Sequence, residues 1–235
     1  MNILLTNDDG YTALGIKTLK ALLSKYGNVI VAAPKTVMSA KSVALNLVEP
    51  IEVIKESDDL YIVDSTPADA VAYALSNIDI KFDLVVSGIN HGHNISYDTM
   101  YSGTIGACLQ ALTYRIPAIA ISAEHNFKLV EEYFDIVMSY IKTHNLLSKE
   151  YLLNINFPLG DKVIGIKDTH IFYRKEVTYY EPRGNNKYQA LRKLKDEECN
   201  DANSDVYAVH HGYISISRLG KTLDYYEQSY NQGQQ

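Results

Sequence analysis

The sequence predicts an α/β fold, a mostly parallel sheet covered by helices on both faces with a β-rich C-terminal extension. Two observations carry this. From Asn2 to about Ile141 short β-branched apolar runs alternate with segments of helical period, as strands joined by crossover helices do. From about Val163 onward that helical period fades, and tyrosine-rich, β-branched stretches alternate with turns such as Pro182-Arg183-Gly184-Asn185. Ligands on such sheets sit beyond the carboxyl ends of the strands, which is where the polar motifs of this chain fall.

The first strand is the apolar run Ile3-Leu4-Leu5, followed at once by Asn7-Asp8-Asp9-Gly10. Neighbouring side chains of a continuing strand point to opposite faces. Asp8 and Asp9 therefore serve one centre only if the chain is already turning, and Gly10 permits that turn. A helix is expected from Leu14, with Ile16, Leu19, Leu22, Leu23 and Tyr26 largely on one face, stopping at Gly27. Val29 to Ala33 is a buried strand ended by Pro34. Pro34 to Ala44 reads as a loop carrying Ser39 and Ser42, and Ile51–Ile54 with Leu60–Val63 as a hairpin around Ser57-Asp58-Asp59.

Thr66-Pro67-Ala68-Asp69 has the composition of a helix start: a capping threonine, proline at the first helical position, and an acid able to close a capping box. Asp83 to Val86 is the next strand, and Ser87 through Asn94 a polar glycine loop after it. Ser102-Gly103-Thr104 opens a helix with Ile105, Cys108, Leu109 and Leu112 at core spacing. Pro117 to Ser122 is a strand, Phe127, Val130, Phe134, Val137 and Ile141 mark an amphipathic helix, and Leu152 to Phe157 is another apolar run. In the extension, Ile171–Tyr180 and Tyr207–Ile216 read as hairpin strands and Lys221–Tyr230 as a helix. The layout predicts that the extension makes a subunit contact, an expectation that a monomeric mass in solution would overturn.

A chain of 235 residues with 46% hydrophobic and 21% charged residues has the makings of an ordinary globular core. Its 22 basic against 28 acidic residues give a formal charge of -6 without a basic run, which argues against long nucleic acid as partner. Cys108 and Cys199 suggest neither a disulfide framework nor a zinc site, so a reducing cytoplasm is the expected compartment. No apolar run is long enough for a membrane span.

Three separated loops, each past a predicted strand, contribute oxygen ligands: Asp8 and Asp9 after the first, Ser39 after the second, Asn90 after a later one. Two carboxylates, a hydroxyl and an amide carbonyl suit Mg²⁺, Mn²⁺ or Ca²⁺, with no thiolate or imidazole to favour zinc. Ser102-Gly103-Thr104 at a helix N-terminus can add backbone N–H groups and two hydroxyls for a phosphate. Asp8 and Asp9 are the candidate catalytic pair, and Asp8, leaving the strand first, is the better candidate for a base or nucleophile. Asn7 is expected to orient the turn or touch phosphate, and Asn94 to fix the glycine loop. His91 and His93 lack a third ligand for zinc, and His210-His211 reads as structural or interfacial.

These motifs resemble those of the SurE family of survival-protein nucleotidases. The residues that carry the likeness are Met1–Gly10, the Ser39 loop, Ser65–Asp69, Ser87–Asn94, Tyr101–Thr104, Asn154–Asn156 and Ala208–Ile216, in order over nearly the whole chain. The resemblance implies a single domain over 1–235, with a Rossmann-like three-layer α/β/α catalytic core at 1–160. The extension, 161–235, would be exchanged between subunits of a homodimer or homotetramer. It further implies a divalent-metal-dependent phosphomonoesterase acting on nucleoside 5′- and 3′-monophosphates. One ion per subunit would be held by Asp8, Asp9, Ser39 and Asn90. Three positions depart from the family pattern: Leu14 stands where proline is frequent, Ala40 where glycine follows the serine, and Arg218 where a proline ends the last motif.

Two other readings compete. Haloacid-dehalogenase-type phosphatases also place aspartate after the first strand, but they need Asp-x-Asp, and Asn7-Asp8-Asp9 breaks that spacing. A non-catalytic nucleotide-binding or scaffold protein would bind nucleotide without releasing phosphate.

Overall fold

Ile3, Leu4 and Leu5 are fully buried, as a central strand covered on both faces requires. They form the middle of β1 (Asn2–Thr6), flanked in parallel by β2 (Asn28–Pro34) and β5 (Leu84–His91). The computed structural model describes residues 1–124, 127–174, 176–194 and 199–220. The sheet is completed by β3 (Val53–Ser57), β4 (Leu60–Val63), β6 (Ala118–Ala123), β7 (Tyr151–Asn156), β8 (Gly165–Thr169) and β11 (Tyr213–Gly220). Its nine strands run in the order β3-β4-β2-β1-β5-β6-β7-β11-β8. Pairing is parallel except where β3 meets β4 and β11 meets β7.

Strand alternation divides the core. Ile3 and Leu5 face one way and pack with Ile16, Leu19 and Leu23 of α1 (Leu14–Leu23) and Val130, Phe134 and Val137 of α5 (Lys128–Thr143). Leu4 faces the other way, against Val71 and Ala74 of α2 (Pro67–Asn77) and Ile105, Cys108 and Leu112 of α4 (Gly103–Thr113). The result is the three-layer α/β/α core that the sequence predicts. No helix among the described residues is long and apolar enough to cross a membrane.

Several boundaries differ from the sequence reading. The first helix ends at Leu23 rather than at Gly27, because Tyr26 N turns back to Leu23 O at 2.8 Å. Gly27 instead allows a close approach, since a Cβ there would lie 2.0 Å from Met1 O. At α2, Thr66 Oγ1 accepts from Asp69 N as expected, but the Asp69 carboxylate is turned to Asn46 N and the Ser65 hydroxyl. Most of the glycine loop, Ser87–His91, is strand: β5 runs on to His91. Its pairing with β6 slips between Ser87 and Asn90 and resumes at Asn90 with Ser122. Gly88, at φ +138°, makes this possible, because a Cβ would stand 2.3 Å from Ile121 O.

The extension departs further. Among the described residues of Ile171–Tyr180 the strand is confined to the end, in β9 (Glu176–Pro182), which pairs with β10 (Tyr188–Leu194) as a separate two-stranded sheet. The turn between them closes through Arg183 N to Lys187 O at 2.7 Å. Tyr207–Ile216 is not one strand. Ser204 Oγ accepts from Tyr207 N and caps a short helix, α6 (Asp205–His210), before Gly212 at φ +82° redirects the chain into β11. A local cap outweighs β-branched composition there. Asp98–Tyr101 forms a further short helix, α3. The helix expected at Lys221–Tyr230 lies outside the described residues.

Candidate active site

The turn after β1 sets the site. Asn7 Nδ2 donates to Gly10 O at 3.0 Å, and Gly10 adopts φ +96°. Tyr11 N donates to Pro34 O at 2.9 Å, fixing the turn to the end of β2. Asn7 thus orients the turn through its amide nitrogen, while its Oδ1 is buried without a partner. Freed from strand alternation, Asp8 points inward, 4% exposed, and Asp9 stays half-buried.

Asp8 is clamped from two sides. Its carbonyl accepts from Met38 N at 2.7 Å and its Oδ1 from Thr104 Oγ1 at 2.6 Å. Burial pushes its carboxyl up to about 6; the Thr104 hydroxyl opposes that rise and the charge of Asp9 adds to it. Asp9 Oδ2 accepts from His91 N at 3.1 Å, which ties the carboxylate to the end of β5. Asn90 donates its Nδ2 to Gly92 O at 2.8 Å, leaving Oδ1 as the atom available to a cation.

The N-terminus of α4 closes the site because two of its residues are glycine. A Cβ at Gly103 would lie 2.9 Å from Asp8 Cβ and 3.2 Å from Met38 O. A Cβ at Gly106 would lie 1.8 Å from Ser42 O, so the serine loop rests directly on the first turn of the helix. Ser42 N donates to Tyr101 O at 2.9 Å from the same side. Ser39 is exposed on that loop, beside Ala40 at φ +58° and Ser42 at φ +50°. A left-handed alanine costs roughly 1 kcal/mol that a glycine would not, which explains why glycine suits position 40.

The hydroxyls of Ser102 and Thr104 are already engaged. Ser102 Oγ accepts from Ile105 N as the helix cap, and Thr104 Oγ1 serves Asp8. What this helix start offers an anion is therefore chiefly its leading backbone amides.

Asn94 holds the segment after β5 in place. Its backbone N donates to Asn156 Oδ1 at 2.8 Å, its Nδ2 to Ser122 Oγ at 2.9 Å, and its carbonyl accepts from Asn154 Nδ2 at 2.8 Å. Asn154, Asn156 and Ser122, none of them among the candidate site residues, support the site through these bonds. The signal for two of them was present: asparagines two apart in an apolar run point to one face of a buried strand. His93 Nε2 bonds Phe157 O at 2.7 Å and its Nδ1 lies 3.3 Å from Glu124, a structural role. Among the described residues no three His, Cys, Asp or Glu side chains form a group that could hold a metal ion.

The raised Asp8 makes a prediction for protein kept in chelator. A carboxyl with folded pKa about 6 and unfolded pKa 3.8 binds more protons folded than unfolded between those values. Stability therefore falls as pH rises through that window, by about 3 kcal/mol from this group alone. Asp8→Asn is expected to remove the loss, so in urea denaturation its advantage over the native chain grows between pH 4 and pH 7. An advantage independent of pH would show that Asp8 titrates normally.

Known proteins resemble this chain over most of its length. The family described as "Survival protein SurE" matches residues 3–178. The chain belongs to the SurE family. The "5'-nucleotidase SurE" of Actinobacillus succinogenes is 39% identical over 233 residues, covering 95% of this chain and 94% of that protein. The protein of the same name from Acinetobacter baylyi is 36% identical over 241 residues, with 93% of each covered. The crystal structure of the SurE protein from Aquifex aeolicus superposes with a TM-score of 0.79 at 32% identity, covering 94% of this chain and 93% of that one. In this SurE chain the two-stranded β9–β10 sheet stands beside the core, with Tyr179, Tyr180 and Tyr188 exposed.

Proposed function

We propose that this chain is a divalent-metal-dependent nucleotidase that hydrolyses nucleoside 5′- and 3′-monophosphates to nucleoside and phosphate. The observation that carries the reading is the Asp8–Asp9 pair at the end of β1, set against the N-terminus of α4 through Thr104 and the Gly103 contact. The names of the relatives, 5′-nucleotidases of full matching length, support the substrate class.

The residues present fit a hard cation. Asp8 and Asp9 supply two carboxylates, Ser39 a hydroxyl and Asn90 an amide oxygen, a set suited to one Mg²⁺, Mn²⁺ or Ca²⁺ per subunit. The orphaned Asn7 Oδ1 and the raised carboxyl of Asp8 mark a centre short of positive charge. A divalent cation supplies polarisation of a phosphoryl oxygen and a lowered pKa for the attacking water. The leading amides of α4 stabilise charge on the equatorial oxygens. Asp8, buried and held by Thr104, is the group assigned to proton transfer or nucleophilic attack, and Asp9 holds the geometry through His91 N. The exposed β9–β10 hairpin is assigned to the contact of a homodimer or homotetramer. Two free cysteines fit a cytoplasmic enzyme.

The test is phosphate release from a panel of 5′- and 3′-mononucleotides with Mg²⁺, Mn²⁺ or chelator. Release from both classes that stops in chelator is expected. Tight nucleotide binding with no release under any metal would establish the scaffold reading instead.

A further inference from the structure

A cavity of about 440 Å³ lies beside α6, lined by Arg174, Asn200, Tyr207, His210 and His211 among others, none of them part of the site above. Arg174 is anchored there by its backbone, whose N donates to Ser96 Oγ at 3.0 Å. Its Nε is buried and has no hydrogen-bond partner. A buried guanidinium donor left unpaired is costly, and native proteins rarely retain one without a use.

The carboxylate in its field is already committed. Asp205 Oδ1 accepts from Phe172 N at 2.9 Å and from Val206 N at 2.8 Å, and Oδ2 from Ser96 N at 2.8 Å. Asp205 thus feels the charge of Arg174 while its lone pairs serve three backbone amides. Two imidazoles also line the cavity. Burial, then the charges of Arg174 and His211, hold His210 below the usual histidine range, and His93 in turn lies in the field of His210. The His211 ring stacks on Tyr207 at 3.7 Å, with Nδ1 bonded to Tyr207 O at 2.8 Å, so its Nε2 is the nitrogen turned outward.

We propose that this cavity is an oxyanion subsite that takes a phosphate group, held by the Arg174 guanidinium with His210 and His211. A fixed cation and two imidazoles around one cavity suit a dianion better than a carboxylate, which brings one charge. The Arg174 guanidinium, which lines the cavity, can also offer a phosphate oxygen a charge-assisted bond. Ser96 is six residues from Asn90, so its backbone lies within roughly 20 Å of the Asn90 backbone. The cavity's lining includes none of the residues of the Asp8–Asp9 centre, and the proposal does not depend on the nucleotidase reading.

The experiment uses the full chain in chelator, following the imidazole resonances of His210 and His211 by NMR. One arm adds inorganic phosphate and the other 5′-AMP. A saturable shift with a raised His210 pKa is expected. A response to phosphate assigns the free ion, and a response to AMP alone assigns an esterified phosphate. Arg174→Gln should weaken the response at least about tenfold, with the amide spectrum confirming the fold. Arg174→Lys, which keeps the charge but loses the planar fork, serves should the glutamine variant not fold, and should weaken binding less. No shift with either probe, or affinity unchanged in the folded variant, would overturn the subsite. Phosphate release plays no part in the readout, so failure of the nucleotidase reading would leave this result standing.

Discussion

Asp9→Ala is expected to lower phosphate release from mononucleotides by at least about 10³-fold, the scale of losing a principal electrostatic contact in a transition state. The side chain is half-buried, so truncation leaves no sealed cavity, and the fold should survive with little change in melting temperature. What is lost is one of the two carboxylates proposed to hold a divalent ion, together with the acceptor for His91 N, whose bond at 3.1 Å ties the end of β5 to the turn after β1. The loss should appear as weaker metal affinity as well as a lower kcat, and excess Mg²⁺ or Mn²⁺ should recover part of the rate. Isothermal titration with metal and steady-state assays on the same preparation separate the two effects. A variant that keeps chelator-sensitive turnover within tenfold of the native chain would move the cation away from Asp9.

What the sequence made legible here is what rests on neighbouring residues. The turn at Asn7–Gly10 follows from an apolar strand ending on two acids and a glycine, and the caps at Thr66 and Ser102 follow from side chains three residues from their partners. What escaped is what rests on register or distant contact. The continuation of β5 through His91 depends on β6 taking up pairing again at Ser122, and nothing within Ser87–His91 announces it. The strand expected at Tyr207–Ile216 yields at its start to a helix because Ser204, three residues upstream, caps it. The candidate site divides the same way: Asp8, Asp9 and the α4 start are visible as motifs. The pairing of Thr104 with Asp8 across 96 positions is a property of the fold.

The serine loop gives the second large effect. Gly106 looks like an ordinary small residue of a buried helix face, yet a Cβ there would lie 1.8 Å from Ser42 O, 2.3 Å from Ser42 C and 2.8 Å from Val43 N. These are backbone atoms, so no side-chain rotation relieves the clash. Of the two elements that meet, α4 is packed into the core through Ile105, Cys108 and Leu112. The loop is largely exposed and already carries two left-handed residues, Ala40 and Ser42. The loop should therefore give way in Gly106→Ala, taking Ser39 off the centre while Asp8, Asp9 and Thr104 stay in place. A displacement of about 1 Å at a positioned group costs on the order of 10²-fold in rate. A drop of that size in kcat is expected, with the far-ultraviolet circular dichroism of the native chain and a modest fall in melting temperature. Ser39→Ala should reproduce much of the rate loss without the change in stability. Native turnover in a folded Gly106→Ala protein would show that the serine loop lies outside the reacting centre and would remove Ser39 from the proposed ligand set.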